Sequence, residues 1–316
     1  MTSVTVRVPA KINLQLAVGP LRPDGYHGLV TVFHAISLFD EVSVRPADGA
    51  APGGPDTVTV SGASAAAVPA TGDNLALRAV RALRAEQRHR GDVPGGAVAV
   101  SIAKRIPVAG GMAGGSADAA AALVACNQLW DAGLSAGELC EVGAEVGSDV
   151  AFAVVGGTAV GRGRGEQLTP ALTAPARFHW VLALADGHLS TPAVYGELDR
   201  QRDGREMAEP ELSGELMSAL RAGDPVRLGA ALANDLQPPA IALFPALRKT
   251  LSAGREFGAL GALVSGSGPT CFFLTRDEDH RADLAASLSG AGVCRTVATA
   301  TGPVPGATVV SAGGGR

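Results

Sequence analysis

Residues 104–130, KRIPVAGGMAGGSADAAAALVACNQLW, place four glycines in six positions between a proline-ended strand and a long apolar run. Glycine is the costliest residue to order, so a loop that only joins two elements seldom concentrates it in this way. The stretch commits the chain to a strand, a tight turn and a buried helix running from about Ser116 to Trp130. A helix N-terminus presents unpaired N–H groups and about half a positive charge, and glycines let an anion approach both. Taken alone, the stretch fits two descriptions equally well: a phosphate cradle, or a tight turn that uses glycine for its positive φ. It is not a Walker A loop, because no lysine follows Gly115, and it is not G-x-G-x-x-G.

The flanking sequence is mixed. Alternation and Val/Thr/Phe content predict strands over 2–8 and 29–45, with a short one at Thr57–Val60 inside a Gly/Pro/Ala-rich excursion. An amphipathic helix is expected over DNLALRAVRALRAEQ, a strand over GGAVAVSIAKRIP, and a Ser135-capped helix over SAGELCEVGAEVG. DVAFAVVGGTAVGRGRGEQLTP reads as a strand pair with a flexible exit. The second half alternates again: strand HWVLALAD, helices near 192–200, 211–221 and 225–233, strand GALVSGSGPTCFFL, helix DHRADLAASLS and strand CRTVATA. No internal repeat is present, and strands and helices follow no regular βαβ order. The expectation is therefore an α+β fold of two domains, 1–163 and 164–316, with a loose tail from about 302.

Charge and cysteines narrow the partners. The formal net charge is −4 and there is no Lys/Arg-rich block, which argues against a nucleic-acid or anionic-membrane binder. A small anionic ligand held by local dipoles stays compatible with it. Cys126, Cys140, Cys271 and Cys294 have no metal-like spacing and read as reduced thiols. The N-terminus alternates like a strand and no apolar run reaches the roughly 18 residues of a membrane span, so a soluble, cytoplasmic protein without a protein partner is expected.

Three stretches carry a resemblance. The glycine turn resembles the P-x-x-x-G-L-G-S-S loop of the galactokinase, homoserine kinase, mevalonate kinase and phosphomevalonate kinase (GHMP) superfamily. PAKINLQL near the N-terminus is similar to the first motif of that superfamily, and VSGSGPTCFF near the C-terminus to its third. DGYH, DNLALRA, GSDVAF and STPAVY further resemble the branch whose acceptor is a diphosphocytidyl polyol of non-mevalonate isoprenoid synthesis. Ala109, Ala113 and Ala117 depart from it, standing where the family often has Gly, Gly and Ser.

The resemblance implies a two-domain kinase with its site in the cleft between domains, using ATP and Mg²⁺ on a small-molecule cytidyl substrate. Asp149, taken as opening a strand, would be the base or orienting carboxylate, and Lys11 its cation. Outside the resemblance, Asp149 also suits a capping acid and Lys11 a lysine snorkelling from a sheet edge. The ATP side would comprise Asn74, Lys104, Pro107, Val108, Ala109, Gly110, Gly111 and Met112, continuing through Ala113, Gly114, Gly115, Ser116, Ala117 and Asp118. Ser116, the sole hydroxyl at the helix start, is the candidate metal contact. On the acceptor side, Asn13 would bond substrate oxygens, and Ser265, Gly266, Ser267 and Gly268 would line the cleft. Tyr26 and His27, placed in an exposed turn by PDG, would hold the cytosine, with Tyr195 closing the opposite side and Thr191 supporting it.

Overall fold

A computed structural model describes residues 3–47, 54–108, 110–205 and 207–313. Two sheets organise the chain. The first is built on β1 (Val4–Leu21) and β2 (His27–Pro46), which pair antiparallel from Val4↔Val44 to Leu21↔His27. β3 (Thr57–Ser61) and β4 (Val98–Ala103) extend it beyond β2, while β5 (Thr158–Arg162) and β6 (Gln167–Pro170) form a hairpin that pairs with β2. The second sheet is antiparallel: β7 (Phe178–Leu184) lies between β10 (Cys271–Thr275) and β11 (Thr296–Gly302), with β9 (Gly261–Val264) beyond β10. The first sheet also takes back two strands from the second half of the chain, β8 (Ala233–Asn234) and β12 (Thr308–Ala312), both on β1.

α1 (Leu75–Arg90), α2 (Gly114–Leu129), α3 (Ala136–Val146) and α4 (Ser148–Val155) accompany the first sheet. α2 is the central one. Its alanines let α1, β1, β2 and α4 approach closely, and Ala117 through Leu123 are all buried. Ser135 and Glu138 form a full capping box on α3, as the sequence predicts. α5 (Thr191–Arg202), α6 (Gly214–Ala222), α7 (Pro225–Ala231), α8 (Gln237–Leu243), α9 (Ala246–Glu256) and α10 (Glu278–Ala291) accompany the second sheet.

Several expectations change. Residues 148–155 form a helix, so Asp149 opens α4 and not a strand. Gly261–Leu274 is a hairpin whose turn is the third glycine motif, not one strand. α8 and α9 went unread: Pro238 and Pro239 look like breakers but stand in the first turn of α8, where no intrahelical N–H bond is lost. The tail is not loose throughout, since β12 pairs with Val4–Arg7. The expected division at 163/164 falls inside the β5–β6 turn.

Candidate active site

The two glycine loops meet face to face. Gly111, at φ 75°, accepts a hydrogen bond on its carbonyl oxygen from the Ser265 hydroxyl at 2.9 Å, and a Cβ on it would lie 2.0 Å from the Ser265 carbonyl oxygen. Only glycine permits that approach. Asn234, unread in the sequence, holds the second loop from below: its Nδ2 donates to the carbonyls of Val264 and Gly266, each at 2.8 Å. The cleft between the loops encloses about 370 Å³.

Lys11 and Asp149 stand at its base. Lys11 lies in a stretch of β1 bounded by register shifts at Pro9/Ala10 and Asn13/Gln15, devices that re-aim side chains. Its ammonium is 3.5 Å from Asp149 Oδ2 and donates to Asn13 Oδ1 at 2.8 Å. Asn13 Nδ2 in turn donates to Thr31 Oγ1 at 2.8 Å. Both ends of the Asn13 amide are thus engaged, and Asn13 also lines the cleft. α4 is docked by Phe152, which stacks on Phe33 at 4.9 Å, and the same Phe33 ring lies 5.5 Å from the Lys11 ammonium. Phe33 therefore fixes the acid and the base-side cation relative to one another.

Three helices open their N-termini on this cleft. Ala113, Gly114, Gly115 and Ser116 of α2, Ser148 and Asp149 of α4 and Thr191 of α5 all line it. No side chain caps α2, and its N-cap Ala113 is held left-handed at φ 56°, a conformation that costs a non-glycine residue about 1–2 kcal/mol. First-turn N–H groups left without a side-chain cap suit phosphate oxygens. Among the described residues no group of three or more His, Cys, Asp or Glu is placed to hold a metal. Ser116 is the hydroxyl at the helix start.

Not every expected ATP-side residue faces the cleft. Gly110 and Gly111 line it, whereas Pro107, Val108, Met112 and Ala117 do not; Ala109 lies outside the described residues. Asn74 is the N-cap of α1, accepting from Ala76 N and donating to the Pro69 carbonyl. Lys104 is buried beneath the loop, its ammonium 2.5 Å from Asp40, 2.7 Å from Asp118 and 2.8 Å from the Gly114 carbonyl oxygen. Asp40, unread in the sequence, completes that cluster. Burial pushes the Asp118 carboxyl up to about 8, against the pull of Lys104. Lys104 and Asp118 thus anchor the loop from inside.

The acceptor side also differs in part. Gly266, Ser267 and Gly268 line the cleft, and Ser267 Oγ is 2.9 Å from Thr191 Oγ1. Tyr26 is 54% exposed, as expected, but His27 is buried. His27 stacks on Tyr195 with ring centroids 5.3 Å apart and donates from Nε2 to Asp199 at 2.8 Å. Burial, then the Asp149 carboxylate, push the Tyr195 phenol up to about 12, so it keeps its proton as a hydrogen-bond donor. Arg164, unread in the sequence, lines the cleft and covers the Tyr26 ring.

Residues 74–157 match the family model of the GHMP kinases N terminal domain, and 216–294 that of GHMP kinases C terminal. A 4-diphosphocytidyl-2-C-methyl-D-erythritol kinase of Thermobifida fusca is 58% identical over 312 residues, covering 98% of this chain and 99% of the relative. The chain belongs to the 4-diphosphocytidyl-2-C-methyl-D-erythritol kinase family. Another member of this family, from Streptomyces avermitilis, is 57% identical over 98% of this chain and all of its own length (100%). A crystal structure of 4-(cytidine 5'-diphospho)-2C-methyl-D-erythritol kinase agrees at a TM-score of 0.73 with 31% identity, covering 94% of this chain and 98% of that one. The mevalonate kinase of L. major, solved with R-mevalonate, agrees at a TM-score of 0.71 with 17% identity over 95% of each chain, a likeness of fold alone. The Lys11–Asp149 pair and the two facing glycine loops are thus features of a member of the 4-diphosphocytidyl-2-C-methyl-D-erythritol kinase family.

Proposed function

We propose that this chain transfers the γ-phosphoryl group of ATP to the 2-hydroxyl of 4-diphosphocytidyl-2-C-methyl-D-erythritol, giving the 2-phosphate and ADP in the non-mevalonate isoprenoid pathway. The observation that carries the reading is the Lys11–Asp149 pair, 3.5 Å apart between two glycine loops, in a chain of this kinase family. An alcohol is a poor nucleophile at neutral pH, and Asp149 at the α4 start is placed to orient the hydroxyl and accept its proton. Lys11 keeps Asp149 ionised and favours the developing alkoxide, while Asn13 holds Lys11 in position. The free N–H groups of Gly114–Ser116 receive nucleotide phosphates. Ser116 is the side chain that would hold Mg²⁺, which when bound would supply neutralisation of phosphate charge.

The acceptor's cytosine rests against Tyr26 and Tyr195, with His27 held by Asp199 behind Tyr195. The Tyr195 stack favours this acceptor over a homoserine- or mevalonate-type alcohol, neither of which brings a base. We draw the domain division after β6, near residue 170, with β8 and β12 assigned to the first unit. Among the described residues no helix is long and apolar enough to cross a membrane, and all four cysteines are free, which supports a reducing, cytoplasmic setting. ³¹P NMR of the protein with MgATP and each candidate alcohol in turn is the test. A new phosphomonoester and ADP are expected with the cytidyl acceptor alone, and turnover of homoserine or mevalonate in its place would replace this reading.

A further inference from the structure

Under the proposed function both substrates carry phosphates, yet the cleft holds little positive charge. Among its lining residues the charged side chains are Lys11, Asp149 and Arg164. Lys11 is committed to Asp149 and Asn13. Among the described residues no anion pairs with Arg164. Its guanidinium rests on the Tyr26 ring at 4.9 Å, and its one hydrogen bond, from its backbone N–H to Glu166 Oε2 at 2.7 Å, leaves the side chain free.

The backbone beneath Arg164 is held firmly. Leu29 N donates to the Gly163 carbonyl and Gly165 N to that of Arg162, each at 2.9 Å, and Gly163 and Gly165 take φ of 71° and 107° to turn the hairpin. A guanidinium laid on an aromatic face, on a fixed turn at a cleft wall, is preorganised for an anion arriving beside that ring. Its planar fork matches two phosphate oxygens at once.

We infer that Arg164 is the clamp for the acceptor's diphosphate. It rests on the reading that the acceptor carries a cytidine diphosphate with its base at Tyr26 and Tyr195. Tyr26 then joins the two subsites, one face of its ring under the guanidinium and the other toward the base. The nucleotide phosphates stay with the α2 N-terminus, so the two phosphate groups are sorted between a side chain and a helix end.

Titration calorimetry with cytidine, CMP and CDP on wild type, Arg164→Lys and Arg164→Ala tests this. Wild type is expected to bind CDP tighter than cytidine. Arg164→Ala should lose about 10–100-fold in CDP affinity, the range for hydrogen bonds to charged groups, and leave cytidine affinity unchanged. Arg164→Lys should retain part of the preference. In turnover assays Arg164→Ala should raise KM for the acceptor with kcat and the KM for MgATP within about threefold. An unchanged CDP-to-cytidine ratio in Arg164→Ala would overturn the clamp. Equal losses for cytidine and CDP would also overturn it, making Arg164 a prop for Tyr26. Wild type that binds cytidine but prefers no phosphate sinks the clamp alone, whereas wild type that binds neither ligand sinks the cytidine reading with it.

Discussion

Lys11 is buried while Asp149 keeps 27% of its side chain exposed to the cleft, so solvent screens the acid side of their 3.5 Å pairing. Asp149→Asn and Lys11→Met are each expected to lower kcat by roughly 10²–10⁴, the range for a positioned acid–base group. The double variant should be little worse than the worse single one, because the two act as a unit. Single-turnover rates read this directly, and an Asp149→Asn variant within tenfold of wild type would remove it as the base. In the sequence a charge inside an apolar stretch, AKINL or DVAFAV, asks for an explanation, and the fold sets these two charges side by side. Lys104 raised the same question and received a different answer. Its partner Asp40 lies 64 positions away in the chain, and nothing local distinguishes a lysine that meets a ligand from one buried under a loop. Arg164 was hidden for the opposite reason: an arginine in a glycine-rich turn looks solvated until the fold sets Tyr26 under it.

The glycine loops separate two kinds of glycine. At Gly111 a Cβ would strike the Ser265 carbonyl, whereas at Gly115 it would meet only Leu75 Cδ1 at 3.2 Å, the end of a flexible side chain. Gly111→Ala should therefore destabilise the protein by about 2 kcal/mol or more, a thermal shift visible without any ligand. Gly115→Ala should fold normally and weaken MgATP binding by crowding the helix end. Equal melting temperatures for the two variants would show that the loops do not meet as described. Beneath the loop, the buried Lys104–Asp40–Asp118 cluster makes a pH prediction. Asp118 titrates near 8 in the fold against an ordinary 3.8, so its contribution to stability is full below its unfolded value and is lost as pH rises through about 8. Asp118→Asn, which cannot ionise, should flatten the fall in melting temperature between pH 5 and pH 8; the same slope as wild type would place the titration elsewhere. α3 was legible because its cap and composition agree, and α2 because a long alanine-rich run follows the glycine turn. α4 was not: VAFAVV is apolar on every side, so its periodicity does not separate a short buried helix from a strand. The glycine pair Gly156–Gly157, each at φ 67°, ends the helix after its eight residues.

At the scale of the molecule, the anion-accepting character of the cleft comes from architecture more than from side-chain charge. A chain of net charge −4 turns three helix N-termini toward one cavity, which neither composition nor any single motif discloses. The same holds for β12, whose residues read as a loose Gly/Pro-flanked tail because its pairing partner is the first strand of the chain. Ending the protein after Ala307 removes β12 and keeps the contact of Ala307 N with the Ala153 carbonyl at 2.8 Å. That truncation should lower the melting temperature by about 5 °C or more, since it strips a ladder of backbone hydrogen bonds worth about 1 kcal/mol each. An unchanged melting temperature would show that the β12 ladder adds nothing to the fold. One flank of β1 pairs with β12 at Val4–Arg7 and with β8 at Gln15–Leu16, both from far along the chain. During synthesis β1 leaves the ribosome before either of them, so these stretches of its edge wait for the later strands. A ribosome stalled between β6 and β12 therefore holds a nascent chain with an open strand edge, the surface on which neighbouring copies join into aggregates.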